Sequence, residues 1–266
     1  MNQQVIKELS KRKDPEAAVS FYHEKGVPVE AVMIYLATVA NSNFEAWFDC
    51  NKDAKIEDFK FEFKKIGSSG GALFDLDKLM NISKNYLSKL TKDEIYDRVL
   101  NYSKEFDTEF YDLLVKYEDY SKSIFNIERE QKKPRKDYAT YADAKKQIWY
   151  MYDELFDKYF ENYDFGKITD KEEIKNIINT YIDEYYDEND DKDTWFNKIK
   201  ELSEKLGYAG NMKEYKENPD AFKGNVADVS TVIRVALTSS SMTPDLYELL
   251  RLMGRDRIKE RFSKLN

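Results

Sequence analysis

The 266-residue chain carries one cysteine, Cys50, and one histidine, His23. A lone cysteine excludes an internal disulfide, and with a single histidine it leaves no cluster of donors for a zinc centre, so no metal site is expected. That usage fits the reducing cytoplasm. His23 lies in SFYHEKG near a helix-ending glycine with no catalytic partner in view, so it is expected on the surface. No charged leader precedes an apolar run, and no apolar stretch approaches the roughly 18 residues of a membrane helix, so neither a signal peptide nor a span is expected. Nine glycines and five prolines are few breakers for this length, which argues against the many turns of β-rich folds.

What the chain has instead is charge and aromatic mass: 35% charged residues, with 20 Tyr and 16 Phe. The length suggests about two domains and suffices for a real core. Apolar residues recur at helical spacing almost throughout, so the fold class is all-α. Asp14-Pro15 opens a helix that Gly26 stops. Pro28 opens VEAVMIYLATVAN, where Val29, Val32, Met33, Leu36 and Val39 or Ala40 make one apolar stripe. Ser42 is placed to cap NFEAWF, and the stretch 55–66 allows either a helix or an extended insertion. The cluster GSSGG at 67–71 lacks the strand and the Lys-Ser/Thr pair of a phosphate cradle and reads as a turn. Beyond it, helical spacing covers 73–90, a capping box stands at Thr91 to Glu94, and helices are predicted over 109–130, 138–163, 169–186, 194–206, 225–238, 244–253 and 255–265. The many Tyr and Phe on these patterns suit interhelix packing, since no RNA-binding sheet motif accompanies them.

The net charge of -8 is unevenly spread. Residues 153–193 hold 15 acidic and 5 basic side chains, and the rest of the chain is slightly basic. Two stretches are strongly so: 129–136 (REQKKPRK), and 251–266, where six Lys or Arg meet two acids. Screening confines each charge to about 8–10 Å at physiological salt, so such stretches suit phosphates in spite of an acidic total. Ordinary charged helix faces account for the same pattern equally well.

Three segments carry a family resemblance. Near the start, LSKRKDPEA places Ser10, Lys11 and Arg12 in a short basic loop, and a Gly-Val-Pro turn and a helix ending in LATVAN follow it. FDLDKL occupies 74–79. The final segment AFKGNVADVSTVIRVALTSSSMTPDLYELLRLMGRDRIKERFSKL has the pattern R-x-A-L-T, then T-P-x-L, then L-x-G-R before a basic last helix. In this order and spacing they resemble the C-terminal portion of bacterial glutamyl-tRNA synthetases, which are class I aminoacyl-tRNA synthetases.

The resemblance implies a remnant of the catalytic domain's signature loop at 1–14, a helical stem-contact domain at 15–100, and a superhelical anticodon-binding bundle at 101–266. It implies that Lys11, flanked by Ser10 and Arg12, matches the lysine that assists ATP phosphates, although Glu8 puts an acid where the family usually has a lysine. It also implies that Arg234, Thr243 and Leu246 match positions touching anticodon bases. From the residues alone, Arg234 equally suits a surface ion pair, Thr243 an N-cap before Pro244, and Leu246 the core. The upstream nucleotide-binding domain and its motif have no counterpart here. The resemblance therefore implies a chain with no cofactor and no catalytic residue of its own, inert alone, while the parent reaction uses ATP and magnesium to glutamylate tRNA. The expected partner is the tRNA for glutamate, with that for glutamine left open. A monomer is expected. The alternative is a free-standing non-catalytic paralogue that uses its acidic, Tyr-rich helices as a protein-interaction surface.

Overall fold

The computed structural model describes residues 13–51, 54–62 and 74–265. The expected signature-loop residues Ser10, Lys11 and Arg12 and the glycine cluster at 67–71 lie outside the described residues. Among those described there are helices and isolated bridge positions, Ala209 paired with Asn225 among them, but no strand, and the all-α expectation holds. The chain divides into two compact units, Met1–Gln147 and Ile148–Asn266.

The first unit begins with a 3-10 turn at Pro15–Ala17 and α1 (Val19–Lys25), which stops at Gly26 in the left-handed region (φ 72°). Left-handed backbone favours glycine, and here space does too. A Cβ on Gly26 would meet the Tyr102 ring at 2.9 Å and the Ala142 nitrogen at 3.2 Å. The Gly26 carbonyl in turn accepts the Tyr141 N–H at 2.8 Å.

Next come α2 (Val29–Ala40), α3 (Phe44–Cys50) and α4 (Leu76–Lys89), the last capped by the Asp75 carboxylate accepting from the Lys78 N–H at 2.9 Å. Helix α2 packs on α4, and the expected stripe contributes only its half-buried Val32 and Val39 to the core there. Its buried face is Ala31, Ile34, Tyr35 and Ala37, while Val29, Met33 and Leu36 are exposed. The helix is apolar almost all round, so the pattern alone left its orientation open. Small Ala31 and Ala37 share the buried side with Tyr35, whose hydroxyl accepts the Asp75 N–H at 2.7 Å.

Helices α5 (Lys92–Phe106), α6 (Thr108–Lys116) and α7 (Glu118–Asn126) pack mutually, and the capping box at Thr91 and Glu94 forms as expected. The single helix expected over 109–130 is thus two, broken at Tyr117. The expected boundary at 100/101 falls inside α5, because α5 buries Ile95, Tyr96 and Val99 within the first unit. A polar link crosses this unit: Arg98 pairs with Glu30 at 2.7 Å and donates to the Tyr141 hydroxyl at 3.3 Å. Burial tends to raise the Glu30 carboxyl, yet its bonds to Arg98 and Tyr86 outweigh that and hold it below the usual range. Helix α8 (Asp143–Ile148) brings the chain to the division between units.

The second unit holds α9 (Asp153–Tyr159), α10 (Lys171–Thr180), α11 (Lys192–Lys205), α12 (Met212–Glu217), α13 (Val226–Thr238) and α14 (Leu246–Ser263). The helix expected over 138–163 is interrupted by a 3-10 turn at Trp149–Met151, and α10 runs on into a π turn at Tyr181–Tyr185. Helix α13 is the hub, packing against α10, α11 and α14 with Val229, Val232, Ile233, Val235, Ala236 and Leu237 fully buried. Helix α14 breaks at Gly254 (φ 72°), the point between the two helices the sequence predicts.

One buried cation ties the ends of this unit together. Arg261, 1% exposed, donates from Nη2 to Asp153 Oδ1 at 2.5 Å and lies 3.3 Å over the Phe156 ring. Burial opposes its charge, and Asp153 offsets that. Removing one partner of a buried pair costs about 3–5 kcal/mol, and the part-exposed Asp153 discounts this to about 2–3 kcal/mol. Asp153→Asn is expected to lower the urea unfolding free energy by that amount, and an unchanged midpoint would refute the role. In the first unit, Gly26→Ala is expected to cost about 1–3 kcal/mol by the same assay, through positive φ and the Tyr102 contact.

Candidate nucleic-acid interface

The three residues expected to touch bases meet at the corner between α13 and α14. Arg234 is a half-buried polar position on the hub helix, flanked by the buried Ile233 and Val235. Its Nη1 donates to the Thr243 hydroxyl and to the Pro244 carbonyl, the latter at 2.8 Å. The guanidinium therefore pins the turn leading into α14. Thr243 is buried and is not the helix cap. That role falls to Asp245, whose carboxylate accepts the Glu248 N–H at 3.1 Å. Leu246, 3% exposed, is core. Arg234 and Thr243 are thus bonded to each other, Leu246 is buried at the start of α14, and Ser241 and Met242 form the exposed tip.

The sequence did not single out a small pocket of about 210 Å³ beside the start of α14. Tyr186, Trp195, Tyr247 and Arg251 line it, with Trp195 and Tyr247 ring centroids 5.7 Å apart and the Arg251 guanidinium 5.7 Å over Tyr247. No spacing signal joins these residues, which come from three separate segments.

The structure also sorts the charged stretches. Arg257 donates to Asp153 at 2.9 Å and Lys264 to Asp157 at 2.6 Å, so with Arg261 the basic 251–266 stretch spends several of its cations on α9. The acidic 153–193 segment is likewise occupied. Asp170 and Asp191 cap α10 and α11, Glu173 pairs with Lys223 at 2.9 Å, and Asp190 pairs with Lys198 at 2.7 Å. That internal use leaves the segment less surface charge for the interaction role the sequence allowed it. In the 129–136 stretch, two arginines turn inward. Arg129 donates to the Phe125, Leu87 and Leu90 carbonyls at 2.7, 2.7 and 3.0 Å, and Arg135 clasps Asp137 at 2.6 Å.

The chain matches the anticodon binding domain family over residues 109–265, more than half its length. It belongs to that family. The resemblance to glutamyl-tRNA synthetases stands as well. The glutamate–tRNA ligase of Clostridium perfringens strain SM101 is 46% identical over 259 residues, covering 97% of this chain and 47% of that protein. That of Acetivibrio thermocellus is 44% identical over 264 residues, covering 98% and 47%. That of Sorangium cellulosum is 35% identical over 258 residues, covering 97% and 45%. The crystal structure of a glutamate tRNA ligase from Elizabethkingia meningosepticum, in complex with its amino acid, superposes with a TM-score of 0.57 at 15% identity, over 92% of this chain and 42% of that one. At that identity the likeness establishes the fold. The chain spans about half the length of the curated relatives it matches, their C-terminal part.

The match to the anticodon binding domain family begins inside α6 and takes in all the helices of the second unit, so the Arg234 corner lies within it. Among the described residues, no three His, Cys, Asp or Glu side chains are grouped to hold a metal ion, and no helix is long and apolar enough to cross a membrane. No step involving ATP or magnesium is assigned to these residues. Replacing Arg234 with Ala removes the donor to the Thr243 hydroxyl and one of two donors to the Pro244 carbonyl, the other being the Thr243 hydroxyl at 3.0 Å, and is expected to destabilise the second unit by about 1–3 kcal/mol in urea unfolding. An unchanged unfolding curve would show that the corner holds without it.

Proposed function

We propose that this chain is the tRNA-binding portion of a cytoplasmic glutamate–tRNA ligase. It holds the tRNA for glutamate by its stem and anticodon while a catalytic domain outside this chain uses ATP and magnesium to form the glutamyl ester. The observation that carries this reading is the family match across 109–265, which contains the Arg234–Thr243 corner at a helix junction with an exposed tip. In this reading the functional divisions follow the family, with a signature-loop remnant at 1–14, stem contact at 15–100 and anticodon binding at 101–266. Ser10, Lys11 and Arg12 form the remnant, Arg234 and Thr243 shape the anticodon-reading surface, and Leu246 braces it. The chain alone is a monomer and inert.

The chemistry of the corner suits the task. An arginine offers donors and a flat face to an unstacked base, and a hydroxyl both donates and accepts. Because Arg234 is already engaged, it acts on a base either by exchanging a partner or by fixing the loop that makes the contact.

Direct titration with glutamate-specific tRNA and with the same tRNA carrying an altered anticodon tests the reading. The chain is expected to bind both at low salt and to prefer the first. Arg234→Ala is expected to erase about 1–3 kcal/mol of that preference, the scale of one specific base contact. No binding to either tRNA at low salt would overturn the proposal, and so would ATP–pyrophosphate exchange by this chain alone in the presence of glutamate and tRNA.

A further inference from the structure

Three side chains of α2 can form hydrogen bonds, and all three are used inside the first unit. Glu30 pairs with Arg98 at 2.7 Å, the Tyr35 hydroxyl accepts the Asp75 N–H at 2.7 Å, and the Thr38 hydroxyl donates to the Ile34 carbonyl at 2.9 Å. The outer side of the helix is left with Val29, Met33, Leu36 and Ala40, which fall at spacings of four, three and four residues and so form one continuous stripe. Val29, Met33 and Leu36 are 72%, 49% and 51% exposed, and Ala40 is exposed as well. Isolated apolar side chains on a surface are ordinary, but a helix that is apolar on every side is normally enclosed. Helix α5 shows the usual solvent coat, with Asp93, Glu94, Asp97, Asn101 and Lys104 facing out. Helix α2 therefore has the surface of a helix that lacks a neighbour.

Size and chain order indicate what covers it. Twelve residues make a helix of about 18 Å, and a stable interface between separate proteins buries about 1,200–2,000 Å² in total, more than four apolar side chains on so short a stripe supply. A second copy of this chain is therefore a poor occupant. Contacts between domains of one polypeptide start at about 600 Å², and a tether raises the effective concentration to the millimolar range, so a small apolar face suffices there. The relatives that match this chain along almost its whole length are about twice as long, and the remainder lies ahead of the match. In chain order it precedes α1 and α2.

We propose that the outward stripe of α2 is the docking face for the N-terminal half that these relatives carry, with Met33 and Leu36 at its centre. The proposal rests on the reading of this chain as the tRNA-binding portion of a ligase, and it names a surface through which that portion meets the catalytic half. Removing Met33 and Leu36 from water on both partners fixes one half against the other.

The test is methionine oxidation by dilute hydrogen peroxide, read residue by residue by mass spectrometry. It compares the whole chain alone with a joined protein, in which the N-terminal part of the Clostridium perfringens SM101 ligase that lies outside the match precedes this chain. Met212 and Met242, 44% and 80% exposed in the second unit, are the internal references. In the chain alone Met33 is expected to oxidise at a rate near that of Met212, and in the joined protein to slow by on the order of fivefold or more relative to it. Equal relative rates in the two proteins would overturn the proposal. So would a Met33 already far slower than Met212 in the chain alone, or one whose rate falls as the chain is concentrated, since its own residues or a second copy would then cover the face. Met33→Gln with Leu36→Gln supplies a second measurement, and is expected to lower the urea midpoint of the joined protein more than that of the chain alone. An equal effect on both would count against docking. Glutamate-specific tRNA added to the chain alone is expected to leave the Met33 rate unchanged, and protection by tRNA would place RNA on the stripe and overturn docking while leaving the proposed function intact. Failure of the chain to bind that tRNA would overturn the proposed function, a result read independently of Met33.

Discussion

A guanidinium that is 1% exposed cannot be tolerated without an anion, and the second unit is organised around meeting that demand. Arg261 arrives from near the chain's end, and Asp153 meets it from the first turn of α9, across more than a hundred residues of sequence. Arg257 shares the same carboxylate, and Lys264 takes Asp157 one turn further along. Two acids of 153–193, Asp153 and Asp157, therefore serve as structural counterweights to the basic last helix. Seen as composition, the two stretches looked like separate surfaces, one repelling and one attracting phosphates. In the fold, Arg257, Arg261 and Lys264 of the last helix are engaged with those two carboxylates.

The same economy governs the hub helix. Helix α13 buries eight of its thirteen residues, and a polar group at the edge of that buried face is kept where its donors are used. Arg234 directs them to Thr243 and Pro244, so the start of α14 is fixed by a side chain rather than by packing alone. A loop held in this way presents its tip in one conformation, which lowers the ordering cost of recognition.

Much of this fold was legible because it rests on local signals. Gly26 and Gly254, both with positive φ, mark a helix end and a helix break, and the Thr91–Glu94 box opens α5. What was not legible depended on packing choice. Helix α2 is apolar on several sides, and only contact with α4 decided that Val29, Met33 and Leu36 face out. The break at Tyr117 has no glycine or proline to announce it. At the candidate site, spacing alone did not bring Arg234 and Thr243 together. They were reachable by family resemblance, and their bond to each other became visible only in three dimensions. Likewise 129–136 reads in sequence as six charges, and only the inward turn of Arg129 and Arg135 separates the residues that build the loop from those left for a partner.

An acidic chain is an unpromising binder of a polyanion only if its charge is treated as a sum. At physiological salt the field of an exposed carboxylate is mostly gone within about 8–10 Å, and a carboxylate held against an internal lysine or arginine projects less still. Several of this chain's acids are such paired groups, Asp153, Asp157, Glu173 and Asp190 among them. Lysines with no such partner keep their full field at short range, where phosphate contact is made. Where charges are left unpaired and where the backbone fixes them then matters more than the total, and Arg129, by donating to three carbonyls, is a residue that fixes the 129–136 loop.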